Sequence, residues 1–541
     1  MMINVSRRSL LATGMFGAGA LALPGLAPAQ TVLTARGFTH SVASGEPGPD
    51  EMLLWTRYVP ASGDSARLKL ELSETPDFAR VAAGGETITG PWRDWTAKVT
   101  VTGLKPARDY HFRFVAADGT MSPVGRTRTL PDDRASRFRA AIFSCSNIGF
   151  GFFNAYAHAA ARDDLDLWIH LGDYFYEYAN GTYPSLQEVV ASRLPQPRTE
   201  IIHLADYRLR YASYRADPDL QALHARLPMI ASMDDHESAN NSWEGGAQNH
   251  DPASEGEWIA RRAAAIQAWR EWMPVSDEPW KAYDIGRLAT LFRTDTRLAG
   301  RSQSPELADM LRGPDPMRAL AAYRDGAWHD PARTMLGSQQ EAWLQHGLAR
   351  SVTSGARWQI VGFGTIMGTM RVPPEVEGWI AQARPGAAGY IQAAVAVGKA
   401  GLPSDLDNWG GYPAARARFL DAAQAADANL VVLCGDSHNA WAFDLAQKGK
   451  PVGVEFAGQS VTSSGFESAL TVDPATVARA LVAASPELKW CDTSRRGYMA
   501  LTITPDRVSN DWLFVDTVKT PNPAARVGHS ATVERGRRQM A

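Results

Sequence analysis

An α/β domain behind a small β-sandwich is the fold class predicted by these 541 residues. Three observations carry it. Between residues 38 and 129, short runs alternate apolar and polar residues and are broken by Gly, Pro and Asp, the pattern of half-buried strands. After Pro131 the period changes, and apolar runs of strand length take turns with stretches of helical periodicity. Several of those runs end in Asp, His, Cys or Tyr, and open α/β sheets present ligands at the ends of their strands.

The first thirty residues read as a leader, not as fold. Ser6-Arg7-Arg8-Ser9-Leu10-Leu11 is a twin-arginine pattern, residues 12–26 are mildly apolar, and Ala27-Pro28-Ala29 suits a signal peptidase. A signal peptide over 1–29 and export by the twin-arginine machinery to the periplasm or the medium are expected. No later run approaches the ~20 apolar residues of a membrane span, so no integral membrane segment is expected. Runs at 52–56, 67–72, 96–101 and 104–114 are the strands of a fibronectin-III or Ig-like sandwich over 31–130, with Tyr110, Phe112 and Phe114 on one face. The catalytic domain, 131–520, has strands at 138–143, 165–171, 229–233, 288–292, 358–363 and 430–433. Its helices fall at 153–161, 257–272, 339–349 and 414–423. Residues 380–401, rich in Ala and Gly, read as a loop or insertion, and polar 521–541 as a weakly ordered tail.

Composition narrows the function. A formal net charge of −3 argues against a general nucleic-acid binder, so no nucleic acid is expected as a stable partner. Cys145, Cys434 and Cys491 make no disulfide scaffold, and an odd count leaves a thiol free. Because the twin-arginine route carries folded proteins, a metal could be loaded in the reducing cytoplasm, which admits a thiolate ligand.

The chemistry gathers in four segments. Phe143-Ser144-Cys145-Ser146-Asn147 closes the first strand of the large domain; Cys145 there is either a small core residue or a ligand. Gly172 lets the backbone turn sharply and leaves Asp173 free to bridge two cations, with Tyr176 three residues on. Asp234-Asp235-His236-Glu237 follows an apolar run, and adjacent acids at the edge of a core require compensating cations. Asn240 and Asn241 stand just beyond as outer groups. In Gly435-Asp436-Ser437-His438-Asn439 an extended backbone projects Asp436 and His438 to the same side. Asn147 and Asn439, which close two of these segments, are the substrate-binding candidates.

With these segments in view, the chain resembles the PhoD-type alkaline phosphatases, a branch of the calcineurin-like metallophosphoesterases that also holds some phospholipase D enzymes. The resemblance runs through Val42-Ala43-Ser44-Gly45-Glu46-Pro47, Leu54-Trp55-Thr56-Arg57, Ser144-Cys145, His170-Leu171-Gly172-Asp173-Tyr174, Asp234-Asp235-His236-Glu237 and Gly435-Asp436-Ser437-His438. It implies a four-layer metallophosphoesterase sandwich, two packed mixed sheets flanked by helices, and a site of ferric iron (Fe3+) with calcium (Ca2+). Carried over, Cys145, Asp173, Tyr176 and His438 hold the iron, while Asp173, Asp235 and Asp436 hold the calcium. His236 then faces the phosphoryl group and the leaving oxygen.

The expected activity is hydrolysis of phosphomonoesters, and of some diesters, by a metal-activated hydroxide. Spontaneous monoester hydrolysis is so slow that enhancements reach ~10²¹, a demand suited to a site built around charge neutralisation. The alternative is a phosphodiesterase or phospholipase D. An exported binding protein with a vestigial hydrolase fold is disfavoured by the intact donor set. A triad of Asp235, His236 and Ser437 lacks a Gly-x-Ser-x-Gly elbow.

Overall fold

The computed structural model describes residues 35–305 and 307–541, so the expected leader lies outside the described residues. Nine strands form one sheet: Ala525–Glu534, Arg507–Val515, Gly497–Ile503, Phe138–Phe143, Leu167–His170, Met229–Ala231, Gly37–Gly45, Glu51–Val59 and Thr96–Thr102, in spatial order. Seven form a second: Lys281–Ile285, Ala289–Arg293, Trp358–Gly362, Leu430–Cys434, Lys450–Ala457, Ala440–Gln447 and Leu488–Asp492. Parallel pairs make the centre of each sheet, and antiparallel strands the rims, so both sheets are mixed.

Burial on both faces explains why the central strands read as near-continuous apolar runs. Ala140, Ile142, Leu167 and Ile169 of the first sheet meet Leu291, Ile360, Val431 and Leu433 of the second in one core. The opposite face of the first sheet, with Ala141, Phe143 and Trp168, is covered by helices Asn154–Ala160, Leu204–Arg215, Pro218–Arg226 and Trp258–Trp272. Val361 and Val432 of the second sheet pack under Gly337–Thr353, Pro413–Ala425 and Pro474–Ala484. Helix, sheet, sheet, helix is the four-layer order. Each buried Leu, Ile or Val contributes about 1.5–3 kcal/mol, which holds the strand ends where the site needs them.

The N-terminal strands do make a sandwich, but not a detached one. Gly37–Gly45, Glu51–Val59 and Thr96–Thr102 face a four-stranded sheet of Val81–Thr89, Ala66–Ser73, Asp109–Ala116 and Gly125–Arg128. Val42, Leu54, Leu70, Tyr110, Phe112 and Phe114 fill the space between. The first of these strands also pairs in parallel with the catalytic sheet, Gly45 opposite Met229. Trp55 Nε1 fastens the same strand pair to the carbonyl of Glu271 at 2.8 Å.

Two expectations are corrected. Residues 380–401 are not a plain loop, because they contain the helix Ala388–Lys399. The tail is not weakly ordered: Ala525–Glu534 pairs along Arg507–Val515 as an edge strand. Its order comes from backbone hydrogen bonds, and nearly every side chain in it but Val533 is at least partly exposed, so its sequence carries no apolar period. Among the described residues no helix is long and apolar enough to cross a membrane.

Candidate metal centre

The six residues expected to hold metal come together where the strands of both sheets end. Donor atoms of Cys145, Asp173 and His438 lie within 4.8 Å of one another, as do those of Asp173, Asp234, Asp235 and Asp436. A third group of Asp173, Asp235 and His236 has the same compactness, so Asp173 belongs to all three. Tyr176 donates its hydroxyl hydrogen bond to Asp173 Oδ2 at 3.1 Å and stands 3.0 Å from His438 Nε2. Ser463 Oγ in turn donates to the Tyr176 oxygen at 2.9 Å.

The backbone is bent sharply to achieve this. Cys145, Asp173, Asp436 and His438 all have positive φ, between 55° and 65°, a region that side chains other than glycine seldom enter. Such strain persists only where surrounding structure imposes it, and it concentrates at functional sites. Here the amides of Cys145 and Ser146 donate to the carbonyls of Gly172 and Asp173, at 3.1 and 2.8 Å, locking the two bends together. Asp436 and His438 therefore converge through a left-handed turn, and the extended geometry expected for them is not what is found.

Gly172 makes the approach possible. With φ of +109°, a Cβ there would sit 2.3 Å from the Cβ of Asp234 and 2.6 Å from its amide nitrogen. Replacing Gly172 with alanine should lower the thermal midpoint and cut turnover together, because relief of the clash moves both Asp173 and Asp234. An alanine variant with wild-type midpoint and activity would show that the bend is not needed.

Burial shapes the electrostatics. It drives the Asp173 carboxyl well above the usual carboxylate range, and the neighbouring Asp235 and Asp234 push in the same direction. Burial also raises the Cys145 thiol and the Tyr176 phenol, and lowers His438 to about 3. One oxygen each of Asp173 and Asp235 is buried without a hydrogen-bond partner among the described residues. Buried carboxylate oxygens of this kind cost free energy unless a cation meets them. The donor set fits that need, with thiol, phenol and imidazole on one side of Asp173 and carboxylates on the other.

Comparison with known families follows the same layout. The description "PhoD-like phosphatase" matches residues 140–512, and "PhoD-like phosphatase, N-terminal domain" matches residues 25–131. The chain belongs to the PhoD-like phosphatase family. It is 31% identical to alkaline phosphatase D of Bacillus subtilis (strain 168) over 516 residues, covering 90% of this chain and 79% of that protein. A solved structure described as the structure of PhoD superposes with a TM-score of 0.77 at 28% identity, covering 94% of this chain and 92% of that one.

Within this PhoD-like frame, several residues do work that the motifs did not announce. Glu177 Oε2 accepts a hydrogen bond from His236 Nδ1 at 2.7 Å and turns the other ring nitrogen, Nε2, toward Asp235 at 3.8 Å. Burial opposes a charge on His236, yet Asp235 and Glu177 hold its pKa well above the ordinary histidine value. Arg297, fully buried, donates from Nε to Asp234 Oδ1 at 2.6 Å and reaches within 3.7 Å of Asp235 and Asp436. The cation compensating Asp234 is thus a side chain. Glu237 serves the backbone, accepting from the amides of Tyr174 and Asp234 at 2.6 and 2.8 Å. The outer groups expected at Asn240 and Asn241 act through main-chain amides, which donate to Glu177 and Asp235 at 2.7 Å each.

Asn147 and Asn439, the substrate-binding candidates, are held by main-chain hydrogen bonds. Asn147 caps a turn by accepting from the Gly149 amide at 3.0 Å and donates to the Tyr183 carbonyl at 3.1 Å. Asn439 donates to the Ser437 carbonyl at 2.7 Å and accepts from the Phe466 amide at 3.3 Å. Both are buried and committed to the main chain, so they shape the loops that carry Cys145 and His438. Cys434 and Cys491 pack in the core beneath the second helical layer, and all three thiols are free.

Proposed function

We propose that this PhoD-like phosphatase, a metal-dependent hydrolase of phosphate esters, releases inorganic phosphate from monoesters at the Asp173 cluster. Cys145, Asp173, Tyr176 and His438 would hold ferric iron there, and Asp173, Asp235 and Asp436 calcium. The observation that carries this is the position of Asp173 in every donor group, with one oxygen buried and unmatched by any hydrogen bond among the described residues. When bound, such cations lower the pKa of water and neutralise charge growing on the phosphoryl oxygens. The water oxygen becomes bonded to phosphorus, the bond from phosphorus to the alcohol oxygen breaks, and the alcohol takes up a proton.

His236 supplies that proton from Nε2 to the departing alkoxide, and Glu177 fixes the ring for it by accepting from Nδ1. Replacing His236 with asparagine should lower kcat by about 10²–10⁴-fold while metal content stays at the wild-type level. Unchanged kcat would remove His236 from the reaction; loss of metal would make it a ligand instead.

Elemental analysis and a visible spectrum of the purified protein test the metal assignment. Iron and calcium with a phenolate-to-iron absorption band, absent from a Tyr176→Phe variant, are expected. An active, colourless protein without iron overturns it. Turnover of a nitrophenyl monoester should exceed that of the matching diester; the reverse order would favour phosphodiesterase or phospholipase D action. The twin-arginine pattern and the small-residue cleavage site support export of the folded, metal-loaded chain to the periplasm or the medium.

A further inference from the structure

Glu177, which holds the His236 ring, is itself held from a second direction. Its side chain is fully buried. Oε2 accepts from His236 Nδ1, while Oε1 accepts from the main-chain amide of Asn240 at 2.7 Å and from Asn249 Nδ2 at 2.9 Å. Asn240 lies only four residues beyond His236, so it moves with the ring and cannot fix the carboxylate independently. Asn249 comes from a separate loop, 72 positions from Glu177. That loop is fastened across the segment after His236. The Gln248 amide donates to the Asn240 carbonyl at 2.9 Å, and Gln248 Oε1 accepts from the side chains of Asn240 and Asn241 at 2.7 and 3.0 Å.

The side-chain amide of Asn249 has only one way round. An ionised carboxylate accepts hydrogen bonds and donates none, so the nitrogen has to face Glu177. The same nitrogen stands 3.5 Å from Glu200 Oε1, and Glu200 is neutralised by the fully buried Arg261, whose Nη2 donates to it at 2.9 Å. The amide oxygen of Asn249, by contrast, is buried without a hydrogen-bond partner among the described residues. An unmatched buried oxygen lowers stability. The fold therefore gains little from this side chain, and its benefit is the donor that it aims at Glu177.

We propose that Asn249 is a positioning residue for proton transfer to the departing alcohol, acting through Glu177 on His236. This rests on the reading of His236 as the proton donor. With Oε1 pinned by the loop, Oε2 stays on His236 Nδ1 and Nε2 keeps its direction. The proton passes from Nε2 to the alcohol oxygen as the bond from that oxygen to phosphorus breaks. How far this matters depends on the alcohol. Nitrophenolate spreads its charge over the ring and departs with little help, whereas an alkoxide departs only with the proton. Asn249 thus serves the hydrolysis of alkyl esters far more than that of aryl esters.

The test measures kcat and KM of the metal-loaded enzyme for ethyl phosphate and for nitrophenyl phosphate. A positioned acid contributes about 10²–10⁴-fold, and losing one contact that places it forfeits part of this, so the ethyl-to-nitrophenyl ratio of kcat should fall about tenfold in Asn249→Ala. KM and metal content should stay at their wild-type levels. Asn249→Leu fills the space without supplying a donor, and it should show the same fall. A wild-type ratio in either variant, or an equal loss for both esters, overturns the assignment. Added to His236→Asn, Asn249→Ala should lower the ratio no further, because the group it positions is gone; additive losses also overturn the assignment. If His236→Asn alone leaves the ratio unchanged, it is the reading of His236 as the proton donor that fails.

Discussion

Replacing Asp173 with asparagine should abolish both metal content and turnover. Asp173 is common to all three compact donor groups, so its loss removes the link between the soft and the hard halves of the site. Removing a single preorganised charge-stabilising group costs about 10²–10³-fold in rate, and a carboxylate proposed to bridge two cations should cost at least that. The same substitution should stabilise the chelated protein. Asp173 and Asp235 each keep one buried oxygen with no hydrogen bond among the described residues, and asparagine takes away one of the crowded negative charges. Relief of one such group is worth about 1–3 kcal/mol. The expected pair of results is thus a higher unfolding midpoint in chelator and no gain on adding metal. An active, metal-free Asp173→Asn enzyme would contradict the whole scheme.

That opposition between stability and activity explains why the centre was legible in the chain. Met229–Ala231 and Leu430–Cys434 are buried throughout, and Phe138–Phe143 is buried but for Arg139, so each reads as an apolar run, and the first polar residues beyond it mark the strand end. Acids and a histidine at such ends are expensive without cations, and selection for function is the simplest reason to keep them. What the runs could not give was the turn geometry after them. The Gly-Asp-Ser-His-Asn segment at 435–439 is made of turn-forming residues, and that composition was the available signal that Asp436 and His438 leave the strand through left-handed positions. Asn147 is likewise a capping residue type, and it caps.

Other parts of the site had no local signal. Glu177 follows Tyr176 as an ordinary acid, and only the fold brings it 2.7 Å from His236. Arg297 sits in Thr294-Asp295-Thr296-Arg297-Leu298, a stretch without a motif, and finds Asp234 across 63 positions. The late strands Gly497–Ile503 and Arg507–Val515 were hidden for a similar reason. Gly497–Ile503 is placed by pairing with Phe138–Phe143, more than 350 residues earlier in the chain, a partner that no window of sequence reveals, and Arg507–Val515 pairs in turn with Gly497–Ile503.

Replacing Arg297 with methionine should be among the most destabilising single changes in the protein. The guanidinium is fully buried and surrounded by Asp234, Asp235, Asp407 and Asp436, and those carboxylates outweigh the burial that would otherwise disfavour its charge. Its removal leaves Asp234 buried without its countercharge, which costs about 3–5 kcal/mol. Asp407 loses less, because Arg301 also pairs with it. A double variant, Arg297→Met with Asp234→Asn, should therefore recover most of the lost stability, since it takes away the stranded charge along with its partner. Thermal unfolding of the four proteins in chelator reads this directly. Additive losses in the double variant would mean that Arg297 supports the fold through packing alone. Recovery would mean that the internal cation serves Asp234 first, with Asp235 and Asp436 only at the 3.7 Å edge of its reach and Asp173 outside its ion pairs among the described residues.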